Sequence, residues 1–270
     1  MELQEIESTT HKDSNGITIH TLRNGLVNNE FSVVYQPQIN TKDNKLFGLE
    51  ALVRWKREGY GYVSPGEFIP LAEESGVIHS IGYRVLDEAI RSASEWLQAG
   101  YDFGQISVNV SAVELSDQRY IHNLLVLCDK YDFPHELLEL EVTEGVSVER
   151  VESGIETLNE ISKLGFKIAI DDFGVGHSNL FSIITLNFHT LKIDRKMIEV
   201  IGNPRAQYIL STIVEYGKEH KINILAEGVE TKEQNDAVIQ LGCRLIQGYY
   251  YSKPKTAAEL ESVLKHKYKE

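Results

Sequence analysis

Two adjacent carboxylates, Asp171 and Asp172, end a short apolar segment that begins at Phe166 and is followed by Gly174. A segment of this length between glycines is typical of a buried strand in a parallel sheet. Two like charges at the end of a strand repel each other, so they need a cation, a hydrogen-bond network or open water. The pair predicts a charged site at the end of the strand, although an N-cap aspartate with a solvated neighbour would give the same pattern.

The pattern recurs, because seven successive strand-like segments end in polar or charged side chains. These side chains are Glu50, Asn109, Glu141, Asp171 with Asp172, Lys192, Glu227 with Glu230, and Gln247. One carboxylate at a strand end is usually a cap or a surface charge, but many carboxylates at one edge of a sheet would repel strongly. Carboxylates and an amide, without cysteine or histidine, are ligands for hard divalent ions. The set therefore predicts a site for Mg²⁺ or Mn²⁺.

The adjacent carboxylates Asp171 and Asp172 suit a site with two ions, because one of them can bridge the ions while the other serves the second ion. Two-metal sites hydrolyse phosphoesters by holding the attacking and leaving oxygens and by activating water. Lys192 could orient that water or stabilise charge that develops on phosphate. It could equally neutralise the excess of carboxylates, and the two roles can coexist.

The elements that must position these side chains alternate between strands and helices. Eight strand-like segments, mostly separated by helices, occupy about 240 residues without an internal linker. This alternation favours a (β/α)8 barrel, an α/β fold, over an open doubly wound sheet, and glycine-rich phosphate motifs are absent. The carboxyl ends of barrel strands meet on one face. The segments 31–35 and 45–49 are joined too tightly for a helical crossover, so we expect the first strand to run antiparallel.

Helix starts are marked by capping patterns in which a serine or threonine precedes a glutamate or glutamine by three residues. The three patterns are Ser64 with Glu67, Thr231 with Gln234, and Thr256 with Glu259.

Composition narrows the class of protein. The 270 residues contain 27 Lys and Arg against 40 Asp and Glu, a net charge of -13, which argues against binding to DNA, RNA polymers or anionic membranes. Cys128 and Cys243 are isolated, which fits a reducing compartment, and no apolar run approaches the length of a membrane span. We expect a soluble cytoplasmic protein. Residues 1–20 are polar and predict a leader or linker that need not be ordered, ahead of a domain over residues 21–268.

Several motifs resemble one family. The segment Glu50-Ala51-Leu52 resembles the signature of the EAL-domain cyclic di-GMP phosphodiesterases. Other segments that resemble this family are Tyr35-Gln36-Pro37, Val53-Arg54-Trp55, Val108-Asn109-Val110-Ser111, Glu139-Leu140-Glu141-Val142-Thr143-Glu144, Ile170-Asp171-Asp172-Phe173-Gly174, Leu191-Lys192-Ile193-Asp194-Arg195, Ala226-Glu227-Gly228-Val229-Glu230 and Gln247-Gly248-Tyr249.

The resemblance implies a modified TIM (β/α)8 barrel whose first strand is antiparallel. It also implies hydrolysis of cyclic di-GMP to linear pGpG, which lowers this second messenger in bacterial signalling. The activity would require Mg²⁺ or Mn²⁺, and Ca²⁺ would inhibit it. A homodimer is implied as well, and a longer parent protein could carry sensory domains.

The resemblance also assigns ligands and substrate contacts. The first ion would be held by Glu50, Asn109, Glu141 and Asp171. The second ion and the attacking water would be held by Asp171, Asp172 and Glu227. The nucleotide would be contacted by Gln36 and Arg54, the arginine through a phosphate.

The remaining roles support these ligands. Lys192 would contact the attacking water, and Gln247 would lie beside it. Glu144 would anchor the loop that follows the central strand, and Glu230 would support the site from outside the ligand set. The implied catalytic residues are Glu227, Lys192, Asp172 and Glu144.

The chain departs from the family pattern mainly in one loop, which contains Val175, His177 and Asn179, and also at Gly145. The family's loop is thought to couple dimer contacts to metal binding, so these departures put regulation and rate in doubt. His177 stands where tyrosine is usual and is interpreted as a packing substitute rather than an acid.

Two other functions fit parts of the pattern. The first is a catalytically weak or inactive receptor for cyclic di-GMP, but such receptors typically lose metal ligands and this sequence retains them. The second is an enolase-like barrel that uses Lys192 as a base. About 30 residues before the first strand leave no room for the extra domain of such enzymes.

Overall fold

The structure, a computed structural model, describes residues 16–143, 151–175 and 180–267. Its strands are β1 Phe31–Asn40, β2 Lys45–Arg57, β3 Gly61–Val63, β4 Ile106–Asn109, β5 Leu138–Thr143, β6 Lys167–Phe173, β7 Thr190–Ile193, β8 Asn223–Ala226 and β9 Leu245–Gln247. Its helices are α1 Ile19–Val27, α2 Pro65–Glu74, α3 Ile78–Gln98, α4 Ala112–Leu115, α5 Tyr120–Tyr131, α6 Val151–Lys163, α7 Leu180–Thr185, α8 Arg195–Glu199, α9 Pro204–His220, α10 Lys232–Gln240 and α11 Ala257–Lys267. Within these ranges, no helix combines the length and the apolar composition needed to cross a lipid bilayer.

Eight of the nine strands close into a barrel. Strands β2 and β4 to β9 run parallel to one another, whereas β1 pairs antiparallel with β2 on one side and with β9 on the other. Residues 41–44 connect β1 to β2, and this connection is too short for the crossover that parallel neighbours require. The predicted modified TIM barrel and its antiparallel first strand are both confirmed.

Strand β3 has no counterpart among the predicted strands. It pairs antiparallel with the end of β2, where Trp55 lies opposite Val63, and its Tyr62 is exposed. Three residues with an exposed side chain show no apolar alternation, so the sequence alone does not distinguish β3 from a loop. Strand β2 pairs with β4 only over residues 49–51 but with β1 as far as Trp55, so its second half extends beyond the barrel mouth.

Aromatic packing fixes this extension of β2. The rings of Phe31 and Trp55 stack with centroids 5.2 Å apart, and Phe68 of α2 packs edge-on against Trp55 at 5.5 Å. All three side chains are fully or almost fully buried, and the Trp55 Nε1 donates to Glu30 Oε2 at 2.8 Å. Such aromatic contacts stabilise by burying large apolar areas with a defined geometry. The cluster therefore holds Arg54, which lies next to Trp55, at the rim of the barrel.

The predicted capping patterns start three helices. Before α2, the backbone N of Ser64 donates to Glu67 Oε2 at 3.1 Å. Before α10, the Gln234 backbone donates to Thr231 Oγ1 at 3.2 Å, and the Gln234 side chain accepts from the Thr231 backbone at 3.1 Å. The third pattern forms in the same way before α11. Each contact satisfies a backbone donor that the first helical turn leaves free.

Candidate metal centre

The polar strand ends meet at the mouth of the barrel. Strand pairing places Gln36 opposite Glu50, Asn109 opposite Glu141, and Thr143 opposite Asp171. The side chains that the structure brings together are Gln36, Glu50, Asn109, Glu141, Asp171, Asp172, Lys192, Glu227 and Gln247. Most of the site residues predicted from the sequence are thus in one cluster.

Lys192 lies at the centre of this cluster and is 1% exposed. Its Nζ is 2.5 Å from Glu141 Oε2, 2.9 Å from Glu227 Oε1, 3.2 Å from Asp171 Oδ1 and 3.7 Å from Glu50 Oε1. Burial on its own favours the neutral amine, but the four carboxylates outweigh it and raise the pKa of Lys192 well above its usual value. Lys192 is therefore a cation shared by four carboxylates. This position fits the predicted role in which Lys192 neutralises the excess of carboxylates.

Glu50 is held by amide donors. Asn109 Nδ2 donates to Glu50 Oε1 at 2.7 Å, and Gln247 Nε2 donates to Glu50 Oε2 at 2.5 Å. Gln247 Nε2 also lies 3.4 Å from Gln36 Oε1. Burial opposes ionisation of Glu50, but Lys192 and the two amides outweigh it and lower the pKa of Glu50. Glu50 is therefore kept as an oriented carboxylate.

The negative charges of two other carboxylates, Glu141 and Glu227, are less well balanced by nearby donors and cations. Burial raises the pKa of Glu141 well above its usual value, and the nearby charge of Glu50 raises it further. Burial raises the pKa of Glu227 in the same direction, with Asp171 as the next cause. A single lysine therefore does not neutralise this group of acidic side chains, and an additional cation would relieve the repulsion between them.

A local irregularity turns the adjacent carboxylates toward the same side. Successive side chains of a regular strand point to opposite faces. Asp172 has a left-handed backbone with φ +57°, and the pairing of β6 with β7 is irregular between Ile170 and Phe173. The backbone N of Asp172 donates to Asp171 Oδ1 at 2.8 Å. This bulge brings Asp172 beside Asp171, and strained conformations of this kind are common at functional sites.

The donor set fits divalent ions. Among the described residues, two groups of acidic side chains have ligand atoms that all lie within 4.8 Å of one another. One group is Glu50, Glu141 and Asp171, and the other is Asp171, Asp172 and Glu227. Glu141 Oε1 is buried, and no donor in the described part of the chain contacts it. All-oxygen ligands and an unsatisfied buried carboxylate oxygen suit Mg²⁺ or Mn²⁺, and Asp171 is shared by both groups.

Other predicted residues lie outside this cluster or outside the described residues. Arg54 lines a cleft beside Glu50, and its guanidinium donates to the Val53 carbonyl at 2.8 Å. Glu230 is exposed and pairs with Arg195 at 3.1 Å. The roles of Arg54 and Glu230 stay predictions. The predicted positions that fall outside the described residues are Glu144, Gly145, His177 and Asn179.

Two carboxylates beside the cluster are absent from the residues predicted from the sequence. Glu73 lies near the end of α2, Glu114 lies in α4, and both line the cleft that contains Glu50 and Asn109. One sequence pattern involves Glu114, because Ser111 and Glu114 have the spacing of a capping box. In the structure, the Ser111 backbone N donates to Glu114 Oε2 as this pattern predicts. That pattern indicates a helix start and does not indicate a cleft.

Comparison with known proteins identifies the family of this arrangement. The EAL domain model matches residues 19–254. The chain is 35% identical over 244 residues to the signaling protein YkoW of Bacillus subtilis, covering 90% of this chain and 30% of that protein. It is 35% identical over 243 residues to the bifunctional diguanylate cyclase/cyclic di-GMP phosphodiesterase MucR of Pseudomonas aeruginosa, covering 90% and 36%. It is 35% identical over 244 residues to the probable cyclic di-GMP phosphodiesterase PdeG of Escherichia coli, covering 90% and 48%. The chain thus spans less than half the length of these relatives.

A solved structure has the same architecture. The c-di-GMP complex of the PaMucR phosphodiesterase superposes with a TM-score of 0.84 at 35% identity, covering 90% of this chain and 98% of that one. The EAL enzyme Bd1971 in its cAMP- and cyclic-di-GMP-bound form gives a TM-score of 0.85 at 29% identity, covering 91% and 67%.

Proposed function

The chain belongs to the EAL domain family, and we propose that it is a metal-dependent phosphodiesterase that hydrolyses cyclic di-GMP to linear pGpG. The observation that carries this proposal is the pair of acidic groups that share Asp171 at the barrel mouth. Relatives named as cyclic di-GMP phosphodiesterases at about 35% identity, and a neighbour solved with c-di-GMP, support the choice of substrate.

The proposed ligands follow the two acidic groups. The first ion would be held by Glu50, Asn109, Glu141 and Asp171, and the second by Asp171, Asp172 and Glu227. When bound, Mg²⁺ or Mn²⁺ supplies positive charge that activates water near neutral pH and stabilises oxygens around phosphorus.

The protein side chains have distinct tasks in this proposal. Lys192 is rigidly held by carboxylates, so its ammonium can donate to the attacking water and balance charge that develops on the phosphate. Glu227 lies within ion-pair distance of Lys192 and is partly accessible, so it is placed to accept a proton from that water.

Substrate contacts come from the rim. Gln36 and Gln247 form a fixed amide pair beside Glu50, and Arg54 stands on the extension of β2, where it can contact a phosphate. Glu144 would order the neighbouring loop, and Glu230 would support the site from outside.

The wider organisation is also a proposal. We assign residues 21–268 to the catalytic domain and residues 1–20 to a leader or linker. The enzyme would act in the cytoplasm as a homodimer, and the greater length of the relatives fits a parent protein with sensory domains.

The direct test incubates purified protein with cyclic di-GMP and separates the products by chromatography. We expect pGpG with Mg²⁺ or Mn²⁺ and little product with Ca²⁺. A metal-loaded protein that binds cyclic di-GMP in calorimetry but forms no pGpG would instead identify a receptor.

Glu227→Gln sharpens that test, because it keeps the shape of the side chain and removes the proton acceptor. We expect turnover to fall far more than nucleotide affinity. If affinity were lost and the rate per bound substrate unchanged, the proton-accepting role of Glu227 would be wrong.

A further inference from the structure

A cavity lies between helices α3, α4 and α5, outside the cleft that contains Glu50. It has a volume of about 310 Å³, close to the lower limit of the roughly 300–1,000 Å³ that is usual for small-molecule sites. Tyr83 and Leu86 of α3 line the cavity, whereas Gly82 and Val85, the residues just before them, line the cleft. Successive residues of an α-helix point about 100° apart, so the cavity and the cleft lie on neighbouring faces of α3.

Two carboxylates line this cavity, and they differ in their cationic partners. Asp117 accepts from Arg119 Nε at 3.0 Å and from Arg119 Nη2 at 2.8 Å, and His79 Nδ1 lies 3.9 Å from Asp117 Oδ2. Glu114 accepts from the backbone N of Ser111 at 3.0 Å. No lysine, arginine or histidine in the described part of the chain forms an ion pair with Glu114. Among these residues, the charge of Glu114 therefore has no counter-ion.

The carboxylate of Glu114 is deeply buried. The residue is 4% exposed, and a Cβ atom at Gly82 would lie only 1.7 Å from Glu114 Oε1, so this oxygen fills the space that a side chain at Gly82 would need. Burial raises the pKa of Glu114 to about 7, and the negative charge of Glu73 acts in the same direction. A buried carboxylate without a counter-ion is costly, so a cation that pairs with it gains binding free energy.

Tyr120 gives the cavity a second group that lacks a partner. It is 6% exposed and lines the cavity, and its buried hydroxyl has no hydrogen-bond partner within residues 16–143, 151–175 and 180–267. Burial raises the pKa of Tyr120 well above its usual value, and the charge of Glu114 raises it further, which indicates that the two groups are close. Buried tyrosine hydroxyls usually have a partner, so this one is available to a ligand.

A protonated amine meets the requirements of both groups. An ammonium carries three N–H donors, so it can donate to the carboxylate of Glu114 and to the hydroxyl oxygen of Tyr120 at the same time. Tyr83 also lines the cavity, and the faces of aromatic rings attract organic cations. A carboxylate or phosphate ligand would be repelled by Glu114, and a neutral alcohol would leave the charge of Glu114 unbalanced.

We propose that the cavity between α3, α4 and α5 is a binding site for a small organic cation that carries a primary amine. Glu114 is the counter-ion of the amine, and Tyr120 accepts a second hydrogen bond from it. The site goes beyond the phosphodiesterase function and does not depend on it, because none of the described residues that line the cavity is a proposed metal ligand. Glu114 lines the cleft as well, so the two spaces share one wall.

The test follows the binding of n-butylamine by NMR chemical-shift titration at pH 8, where Glu114 is mainly ionised. Saturating Ca²⁺ is present, so that the amine does not compete for the carboxylates at the barrel mouth. Wild type is compared with Glu114→Gln, which removes the charge, and with Tyr120→Phe, which removes only the hydroxyl. The ligand controls are n-butanol and n-butyrate, which have a similar size but are neutral and anionic.

Glu73→Gln is the matched control variant. Glu73 lines the cleft and is not among the residues that line the cavity. Its Oε1 accepts from Ser111 Oγ at 2.6 Å, and the glutamine amide can accept the same hydrogen bond. Thermal unfolding of each variant verifies that it is folded.

We expect n-butylamine to shift the amide signals of α4 and α5 with the same Kd in wild type and in Glu73→Gln. Glu114→Gln should bind the amine roughly 10-fold to 100-fold more weakly, the usual effect of losing a hydrogen bond to a charged group. Tyr120→Phe should bind it roughly 3-fold to 10-fold more weakly, the effect of losing a neutral partner. In wild type, n-butanol should bind more weakly than n-butylamine, and n-butyrate should not bind.

Equal Kd values for n-butylamine in wild type and Glu114→Gln, or n-butanol that binds wild type as tightly as n-butylamine, would overturn the proposal. A loss in Glu73→Gln equal to that in Glu114→Gln would place the amine in the cleft and would overturn it too, as would the absence of shifts at high millimolar n-butylamine. If Glu114→Gln does not fold, Tyr120→Phe and the three ligands decide the outcome. These measurements do not use the hydrolysis of cyclic di-GMP, so their failure would leave the phosphodiesterase proposal unchanged.

Discussion

Two buried glutamates lie two residues apart on β5 and have different surroundings. Glu139, deeper in the barrel, accepts from Thr190 Oγ1 at 2.6 Å and from Gln105 Nε2 at 2.7 Å, so both of its oxygens are satisfied. Glu141, at the mouth, contacts Lys192 through one oxygen, and no donor among the described residues reaches the other. The hydrogen-bonding capacity of Glu139 is thus satisfied inside the barrel, whereas one oxygen of Glu141 has no donor among the described residues.

The causes of the pKa shifts of Glu139 and Glu141 also differ. Burial raises the pKa of both glutamates, but the next causes differ. For Glu139, the hydrogen bond from Thr190 and the charge of Lys167 oppose the effect of burial. For Glu141, the neighbouring carboxylate of Glu50 adds to it. A repulsive group of carboxylates that the protein itself leaves partly uncompensated is the physical basis for a cation site.

The largest expected difference between the two glutamates is in catalysis. Glu141→Gln removes a proposed metal ligand, so we expect hydrolysis of cyclic di-GMP with Mg²⁺ to fall by roughly 1,000-fold or more. Glu139 contacts neither proposed ion, so Glu139→Gln should stay within about tenfold of wild type, the cost of a small displacement. Initial rates of pGpG formation check both values. Equal losses in the two variants would remove the distinction between the two positions.

A third buried carboxylate, Glu114, extends the comparison to pH. The folded-state pKa of Glu114 is about 7, which is above the usual value of 4.5. Between pH 4.5 and pH 7, Glu114 is therefore mostly protonated in the folded protein and mostly ionised in the unfolded chain. Its contribution to stability is therefore present below about pH 4.5 and is lost as pH rises toward 7. The loss is about 3 kcal/mol, from roughly 1.4 kcal/mol per pKa unit.

Glu114→Gln lacks this titration. Denaturant unfolding at pH 5 and pH 8 should show that wild type loses more stability than the variant as pH rises. Subtracting the change in the variant from the change in wild type removes the contributions of the other buried carboxylates, which both proteins share. Identical pH dependence in both proteins would show that Glu114 titrates normally in the folded state.

Metal binding should stabilise the folded protein through the mouth of the barrel. At a Mn²⁺ concentration of about 100 times Kd, the expected gain is about 2.7 kcal/mol in the free energy of unfolding. Thermal or urea unfolding with and without Mn²⁺ measures this gain. It should persist in Glu139→Gln and be largely absent in Glu141→Gln, whereas a gain retained in both variants would place the ion elsewhere.

The smallest expected effect concerns stability without metal. Glu139→Gln replaces an acceptor that serves two donors, and it should cost about 1–3 kcal/mol because a buried hydrogen-bonding group loses its partner. Glu141→Gln removes a charge from a repulsive cluster, so its cost should be smaller. Urea unfolding in a chelator checks this order, and a reversed order would contradict the account of Glu139 as the satisfied carboxylate.

Much of the fold follows from local patterns in the sequence. Strand-like segments that alternate with capped helices predict the barrel, and the tight connection before Lys45 predicts the antiparallel first strand. Polar residues at successive strand ends predict the cluster around Asp171, because parallel strands in a barrel end on one face.

The remaining features depend on contacts between distant segments. Asn109 follows three buried strand residues, yet it is exposed while it donates to Glu50. The left-handed backbone at Asp172 depends on the pairing of β6 with β7, which no local pattern reveals. Glu73 and Glu114 come together only through Ser111 and the space at Gly82, so their spacing in the sequence carries no sign of the cleft.

The most direct measurement is anomalous diffraction at the manganese edge from crystals grown with Mn²⁺ and cyclic di-GMP. Two peaks at the barrel mouth, one beside Glu50 and Glu141, the other beside Asp172 and Glu227, and both within ligand distance of Asp171, are the predicted result. A single peak, or peaks remote from Asp171, would contradict the proposed two-ion centre.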